Sequence, residues 1–369
     1  MLKFTTAGES HGKGIITIIE GIPAHLFLSE KDIDVELKRR QMGYGRGGRM
    51  KIELDRAQIL SGVRKGETIG SPVAIAVWNK DVHKKPLSPV YVPRPGHADL
   101  TGAVKYGQID IRNVWERASA RETAGRVAAG AVAKRLLKEF NIEVLSHVVG
   151  IADIAVDITG VSISELKKKI KSIDSSPLRC IHREAELEMM RVIDEAKKKG
   201  DTVGGVFEVL ALNVPVGLGS YVQWDSRLDM RLAGAVMSIP GIRGVEIGLG
   251  FESALMLGSQ VHDEITCKTG FGRKTNNAGG IEGGISNGEP IMMRAAMKPI
   301  PSLARPLDSV NLKTGKKSKA AVLRSDICAV PAAGVVAESM TAFVLAGAVC
   351  EKFGGDTINE TKRNFRGQK

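Results

Sequence analysis

The chain has 369 residues, of which 43% are hydrophobic and 25% charged, which is an ordinary globular composition with material for a large core. Its formal net charge of +12 favours anionic partners, but charge alone does not separate nucleic acids from phosphorylated metabolites. The four cysteines are far apart and form no CxxC, which indicates a reducing compartment and argues against a zinc site or a disulfide framework.

Periodicity and end signals predict both helices and strands. In chain order, the predicted helices cover 29–41, 120–140, 162–173, 183–200, 225–239 and 334–355. The predicted strands cover 14–21, 50–55, 57–62, 72–78, 204–215, 243–251 and 290–297. Many strands follow one another directly, which favours antiparallel sheets in an α+β arrangement. No signal peptide is seen and no apolar run reaches membrane-spanning length, so we expect a cytoplasmic protein.

The stretch "GESHG" at 8–12 matches the G-x-S-x-G nucleophile elbow of serine hydrolases. An elbow needs a preceding strand and a following helix. Here only a few residues precede the motif and a predicted strand follows it, so the hydrolase interpretation is disfavoured. His11, between two glycines and close to Glu9, remains a candidate for a chemical role.

The stretch "RRQMGYGRGGRMK" at 39–51 is rich in arginine and glycine. It could be an RNA-binding box, a dinucleotide loop or an ordered clamp for a small polyanion. A dinucleotide loop follows a strand and opens a helix, whereas this one follows a helix and precedes a strand. An RNA box needs aromatic stacking platforms, and Tyr44 is the one aromatic residue within it. The clamp is therefore favoured.

Further segments pair cations with glycine, proline or serine. "RPGHAD" (94–99) is predicted to form a turn that presents Arg94 and His97 together. "ERASARETAGRV" (116–127) places Arg117 and Arg121 at helical i,i+4 spacing around Ser119, which indicates either a phosphate site or ordinary helix capping with surface arginines. "TNNAGGIEGGISNGEP" (275–290) is either a flexible loop or a backbone nest. "MKPIPS" (297–302) and "RSD" (324–326) complete the set.

Taken in order, these motifs resemble the signatures of the chorismate synthase family, over about residues 3–353. The resemblance implies conversion of 5-enolpyruvylshikimate 3-phosphate to chorismate and phosphate, a 1,4-anti elimination in the shikimate pathway. It implies a carbon–oxygen lyase that requires reduced FMN without net redox change. It also implies a β-α-β sandwich with helices between two largely antiparallel sheets, assembled as a homotetramer. We therefore expect one domain over 1–369, with a core at about 3–353 and a tail at 354–369.

The resemblance also implies roles for individual residues. His11 corresponds to the histidine that protonates the leaving phosphate, His97 to the one that protonates the flavin, and Asp326 to the final proton acceptor. The arginines implied around the substrate's phosphate and carboxylates are Arg40, Arg46, Arg49, Arg94, Arg121 and Arg324. Arginine suits this task because its guanidinium binds such anions in a bidentate manner. No metal is implied.

The implied FMN contacts are Arg117, Ala118, Ser119, Pro240, Gly241, Gly283, Lys298, Pro299, Ile300, Pro301, Ser302 and Arg324. Position 118 is often Ser in the family, and Pro240–Gly241 replaces polar residues seen elsewhere. The stretch 79–93 is shorter than in some members. NADPH as a reductant is a weaker implication, with Arg40 and Arg46 as its contacts.

Two other classes of function remain at this stage. A nucleic-acid-binding protein would use the excess basic charge, but it has no need for His11, His97 and Asp326. A flavin reductase, or another enzyme with net redox change, would consume NADPH in proportion to product. We expect a small-molecule substrate, without nucleic-acid or membrane partners.

Overall fold

The computed structural model describes residues 2–48, 53–82, 87–156, 158, 161–267, 270–323 and 325–367. Its helices are α1 Glu30–Gln41, α2 Asp99–Tyr106, α3 Arg112–Ala118, α4 Thr123–Lys138, α5 Ile163–Ser175, α6 Arg183–Lys199, α7 Leu228–Met237, α8 Gly258–Val261, α9 Val330–Phe353 and α10 Ile358–Arg366. Short 3₁₀ turns lie at Ala120–Glu122, Trp224–Ser226 and Gly250–Leu255.

The larger strands are β1 Lys3–Ala7, β2 Gly14–Glu20, β3 Ala57–Ser61, β6 Val73–Trp78, β7 Glu143–Ile151, β9 Gly205–Leu212, β10 Ile242–Ile247 and β15 Ile291–Met297. The shorter ones are β4 Val63–Arg64, β5 Glu67–Thr68, β8 Ile154–Ala155, β11 Ile265–Cys267, β12 Phe271–Arg273, β13 Ile281–Glu282, β14 Ile285–Ser286, β16 Asp308–Val310 and β17 Lys317–Lys319.

Two antiparallel sheets form the outer layers of the molecule. One has the strand order β1-β2-β6-β3, and the other has the order β10-β15-β9-β7-β8. Helices α4 and α9 pack against each other between them, with α4 against β2 and α9 against β7 and β9. This arrangement confirms the predicted α+β class with helices between two antiparallel sheets.

The two central helices approach closely because α4 is rich in alanine and glycine. A Cβ atom built on Gly130 would lie 2.2 Å from Cβ of Ser339 in α9, so no larger residue fits at this crossing. Helix α9 is long and apolar enough to span a membrane, but 83% of its most apolar window is buried inside the structure. It is a core helix, and its composition reflects contact with protein on nearly every side.

The predicted helices at 29–41, 120–140, 162–173, 183–200, 225–239 and 334–355 are confirmed, with ends shifted by a few residues. The predicted strand at 50–55 is wrong in its described part, 53–55, while 50–52 lie outside the described residues. There the backbone is hydrogen-bonded to the side chain of Gln41 and not to a neighbouring strand. Gln41 Nε2 donates to Glu53 O at 2.5 Å, and Asp55 N donates to Gln41 Oε1 at 3.2 Å.

Helices α2, α3 and α10 and strands β1 and β7 were not predicted. Helix α10 lies in the segment that was expected to be a tail. Its Phe365 ring packs edge-on against Phe140 and Phe353, with centroids 5.2 and 5.1 Å apart. The single-domain organisation stays a prediction.

A fully buried carboxylate, Glu338 in α9, ties the layers together. It accepts hydrogen bonds from Arg39 of α1, from Lys134 of α4 and from Arg179, at 2.5–2.9 Å. Ser146 of β7 donates to it at 2.7 Å. Burial alone would raise the pKa of Glu338, but these cations hold it well below its usual range.

We predict that Glu338→Gln destabilises the fold by roughly 3–5 kcal/mol, because it leaves buried cations without a counter-charge. Urea unfolding of the full chain at pH 7 measures this. The control is Glu143→Gln, which removes the exposed partner of Lys167 and should cost no more than about 1 kcal/mol. Equal losses for the two variants would contradict the prediction.

The stability difference between wild type and Glu338→Gln should depend on pH. A depressed carboxyl pKa contributes stability that is present above the unfolded-state pKa of about 4.3 and is lost as pH falls through the folded-state pKa. The difference in unfolding free energy between wild type and Glu338→Gln should therefore be constant from about pH 7 to 5.5 and shrink below about pH 4. A difference that grows on acidification would contradict this.

Candidate functional site

A cavity in the described structure has a volume of about 890 Å³. Its wall is built by segments far apart in the chain: the loop before β2, the turn before α2, helix α3, the start of β10, the loop after β15 and the segment before α9. This volume lies near the top of the range of about 300–1,000 Å³ that is usual for ligand sites. The cavity is therefore the candidate active site.

His11 lies on the loop 8–12, whose shape depends on glycine. Gly8 has φ +113°, and a Cβ there would lie 2.1 Å from Gly14 O. Helix α3 holds the histidine, because Glu116 binds its Nδ1 at 2.9 Å through Oε1 and its backbone N–H at 2.7 Å through Oε2. Beside it, Ser10 Oγ donates to Ser119 Oγ at 3.1 Å. The loop is thus an ordered turn, and the structure does not make it a nucleophile elbow.

A buried ion-pair cluster lies behind this loop. Asp55 accepts hydrogen bonds from Arg40 at 2.8 Å and from Arg121 at 2.5 Å. Arg121 also donates to Asn79 Oδ1 at 2.8 Å, and Asn79 donates to the carbonyl oxygens of Glu9 and Gly12 at 3.0 and 2.9 Å. The two arginines are therefore linked to the His11 loop through Asn79.

Burial affects the charges in this cluster. It would by itself raise the pKa of Asp55, but Arg40 and Arg121 hold that pKa below its usual value. Burial lowers the pKa of Arg40, although Asp55 opposes the change. Both arginines are 4% exposed and neither lines the cavity, so they support its wall.

His97 and Arg94 meet at a second carboxylate, Asp99, as the "RPGHAD" turn leads into α2. Arg94 donates to Asp99 from Nε at 2.9 Å and from Nη2 at 3.1 Å, and His97 Nδ1 makes a short hydrogen bond to Asp99 Oδ1. Arg94 Nη1 also donates to Ser302 Oγ at 2.6 Å. Burial would raise the pKa of Asp99, but the bonds from His97 and Arg94 bring it well below its usual range.

This ionised carboxylate accepts and cannot donate, so His97 Nδ1 carries a proton. Nε2 is the ring nitrogen that is left to face a ligand. The turn prediction for 94–99 is confirmed, with Gly96 at φ +78°.

Asp326 lines the cavity on the side of the segment before α9. Its Oδ2 lies 3.1 Å from Arg46 Nε, and its Oδ1 accepts from Gly47 N at 2.5 Å. The arginine–glycine stretch is therefore bound to a candidate catalytic carboxylate. Arg39 and Arg40 of the same stretch are committed to Glu338 and Asp55, which argues against a solvated RNA-binding box.

The loop 298–302 forms another part of the wall. Lys298 N donates to Gly241 O at 2.9 Å, and Lys298 Nζ makes a short hydrogen bond to Gly96 O. Burial lowers the pKa of Lys298, and the nearby positive charge of Arg243 adds to the effect. Gly241, at φ +91°, permits the turn that carries the chain into β10.

The predicted residues divide into several groups. Those that line the cavity are His11, Arg94, His97, Ala118, Ser119, Pro240, Gly241, Lys298, Pro299, Ile300, Pro301, Ser302 and Asp326. Those described but not in its wall are Arg40, Arg46, Arg117, Arg121 and Gly283. Arg49 and Arg324 lie outside the described residues.

The predicted i,i+4 pairing of Arg117 and Arg121 is wrong. Helix α3 ends at Ala118, and Ser119 is extended, with φ −66° and ψ 143°. The chain turns there, so Arg117 reaches outward to Thr6 O at 2.9 Å while Arg121 is directed inward. Gly283 lies between β13 and β14, with no atom within 4 Å of a Cβ built on it.

Four functional candidates were missed by sequence reasoning: Glu116, Asp99, Trp115 and Arg243. Glu116 and Asp99 lie inside the quoted motifs, so their adjacency to His-containing segments was a usable signal. Trp115 Nε1 is buried without a hydrogen-bond partner among the described residues, and Arg94 Cζ lies 4.9 Å from the centre of its ring. No sequence signal marked Arg243, because its position depends on a strand irregularity.

The wall fits a flavin mononucleotide. Pro240, Met297, Pro299 and Pro301 supply an apolar surface for a flat ring system, and Arg243 and Lys298 supply positive charge for a phosphate. The unpartnered indole N–H of Trp115 is a donor that a bound ligand can satisfy.

Comparison with known proteins agrees with this site. The family model for chorismate synthase matches residues 2–350. The chorismate synthases of Aquifex aeolicus (strain VF5) and Geobacter sulfurreducens are each 54% identical to the chain; the alignments cover 99% and 100% of this chain, and 96% and 98% of those proteins.

A crystal structure described as chorismate synthase superimposes with a TM-score of 0.83 at 48% identity. The alignment covers 99% of this chain and 96% of that one. The fold implied by the motifs is thereby confirmed over nearly the whole length. The chain belongs to the chorismate synthase family, a family of carbon–oxygen lyases in the shikimate pathway.

Proposed function

We propose that the cavity binds 5-enolpyruvylshikimate 3-phosphate together with reduced FMN and eliminates phosphate to give chorismate without net redox change. The observation that carries this proposal is the convergence of His11, His97, Asp326 and the loop 298–302 on one cavity. These residues come from motifs spread over the whole chain. Reduced flavin, held by the loop 298–302, would lend an electron to the substrate and regain it as the hydrogen at C6 is removed, so that the flavin would end the reaction reduced.

His11 is the proposed donor of a proton to the departing phosphate. Its hydrogen bond to Glu116 orients the ring, as a general acid requires. A proton delivered to the phosphate oxygen reduces the negative charge on the leaving group. Glu116 is thus a positioning residue, because it acts through His11.

His97 is the proposed proton donor beside the flavin, through Nε2–H of its imidazolium form, in which Nδ1 also carries a proton for Asp99. Asp99 holds the ring by Nδ1 and at the same time neutralises Arg94, so one buried carboxylate positions two residues of the wall. Asp326 is the proposed acceptor of the proton that leaves the substrate. The contacts from Arg46 and Gly47 N fix its carboxylate in place.

The proposed substrate contacts need revision in one respect. Arg40 and Arg121 are buried behind the wall, so their proposed role is to supply positive potential and to hold the His11 loop through Asn79. Arg94 lines the cavity and keeps its proposed role. Arg46 reaches the site through Asp326, and roles for Arg49 and Arg324 stay predictions. Neither the structure nor the comparisons support an NADPH site at Arg40 and Arg46.

The proposed assembly is a homotetramer in the cytoplasm. Large exposed apolar side chains in the segment that follows the edge strand β10 support association, among them Phe251, Leu255, Leu257, Ile265 and Phe271, which are 71–87% exposed. All four cysteines are free, which supports a reducing compartment.

The proposed reaction predicts turnover under anaerobic conditions with photoreduced FMN. Chorismate and phosphate should appear in equal amounts while the flavin stays reduced at the end. The control is the same mixture with oxidised FMN and no reductant, which should be inactive. Consumption of reductant in proportion to chorismate would instead indicate a net redox reaction.

We predict that His11→Asn lowers kcat by roughly 10²–10⁴-fold, the usual contribution of a general acid, while flavin and substrate still bind. The matched control is His25→Asn. His25 forms a similar pair with Glu67, at 3.0 Å, but lies outside this cavity, and Asn tolerates its φ of +66°. Turnover that is equal in the two variants would remove His11 from the proposed mechanism.

Asp99→Asn should lower kcat by roughly 10²–10⁴-fold, because an amide can donate as well as accept and so no longer fixes a proton on His97 Nδ1. Its effect on substrate KM should be much smaller than its effect on kcat. The control, Asp308→Asn, removes an exposed partner of Lys319 and should leave both constants unchanged. If Asp99→Asn raised only KM, Asp99 would be a substrate-binding support and would have no role in positioning His97.

A further inference from the structure

Tyr44 lies in the middle of the arginine–glycine stretch and does not line the cavity. Its hydroxyl lies 2.9 Å from each carboxylate oxygen of Asp194 in α6, to which it donates. This hydrogen bond raises the pKa of Tyr44, so the phenol keeps its proton at neutral pH. The bond ties the stretch to a helix that contributes none of the described residues of the cavity wall.

The backbone around Tyr44 needs such an anchor, because glycines flank it. Gly43 and Gly45 have φ of +128° and +80°, in a region that glycine enters readily, and glycine can also leave it readily. Tyr44 N donates to Pro177 O at 2.8 Å. Gly45 O accepts from Ile327 N at 2.7 Å. A stretch of this composition takes its rigidity from such contacts.

The residues that follow Tyr44 hold the candidate proton acceptor, Asp326. Arg46 Nε lies 3.1 Å from Asp326 Oδ2, and Gly47 N donates to Asp326 Oδ1 at 2.5 Å. Only two residues separate Tyr44 from Gly47, so a shift of the tyrosine moves both contacts on the carboxylate. The hydrogen bond to Asp194 is therefore transmitted through the loop 43–47 to Asp326.

We propose that Tyr44 and Asp194 are positioning residues for the elimination, because their hydrogen bond holds the loop 43–47 where it orients Asp326. This inference rests on the proposed function, in which Asp326 accepts the proton that leaves the substrate. Neither Tyr44 nor Asp194 lines the cavity, so both act through Asp326. A misplacement of about 1 Å at a reacting group can cost on the order of 10²-fold in rate, so a distant hydrogen bond can control turnover.

The test removes the hydroxyl alone, with Tyr44→Phe in the full chain, assayed anaerobically with photoreduced FMN. The ring still packs against the core, so the variant should fold, which urea unfolding checks. We expect kcat to fall by roughly 10- to 100-fold, while substrate KM and the FMN dissociation constant change by less than about twofold. The control is Tyr221→Phe, which changes a tyrosine that is 74% exposed outside this cavity and should leave kcat unchanged.

A kinetic isotope effect separates positioning from a loss of folded enzyme. Deuterium at the C6 position that is lost slows removal of the hydrogen, and the ratio of kcat for the two isotopes is independent of how much enzyme is folded. In Tyr44→Phe this ratio should rise above the wild-type value, because transfer to a displaced Asp326 limits turnover more strongly. A lower kcat with the wild-type ratio would show a purely structural role and overturn the proposal.

A second set of variants tests whether the two residues act as one pair. Asp194→Ala should reproduce the loss seen in Tyr44→Phe, and the double variant should be no worse than either, because all three lack the same hydrogen bond. Asp194→Asn keeps an acceptor oxygen and should restore most of kcat. Losses in kcat that multiply in the double variant would overturn the pairing.

The outcomes also separate this inference from the proposed function. If wild type forms chorismate and Tyr44→Phe turns over equally fast, the positioning role is overturned and the elimination stands. If Tyr44→Phe raises only KM, the loop serves substrate binding, which also overturns the inference. Wild type that forms no chorismate overturns the proposed function and this inference with it.

Discussion

Buried carboxylates hold the cations of this molecule, and Glu338 is the one on which the architecture depends. It lies in the middle of the central helix α9 and binds Arg39, Lys134 and Arg179, which come from the helices and the loop around it. A charge buried this deeply is tolerated only when its partners stay in place. The packing of α1, α4 and α9 is therefore coupled, and the sheets that these helices separate are held at fixed positions.

The same principle operates at the cavity on a smaller scale. Asp55 binds two arginines behind the His11 loop, and Asp99 neutralises Arg94 while it orients His97. Each carboxylate performs a structural and a chemical task at once, because a buried ion pair fixes the side chains that it joins. These carboxylates reduce the repulsion between the arginines, so that several arginines can lie close to the site without destabilising the fold.

Fold prediction from sequence succeeded for the long periodic helices, missed the buried strand β7, and failed at several short segments. Helix α9 was predicted because apolar residues cover nearly its whole circumference. Helices α2 and α3 are short, and α3 contains charged residues that face the cavity, so neither has a clear apolar stripe. The segment 53–55 has a strand-like pattern, but Gln41 binds its backbone, and no propensity scale contains such a contact.

By itself, the sequence determined the family, the α+β class and the motifs that bear His11, His97 and Asp326. These depend on residue identity and order along the chain, which folding does not alter. Only the tertiary structure decided which arginines line the cavity and which lie behind it. Arg40 and Arg121 have the same chemistry as Arg94, and their places differ because buried carboxylates at 55 and 99 bind them from different sides. The place of Arg243 in the cavity wall was likewise invisible in the sequence, since a β-bulge forms only when two distant strands pair.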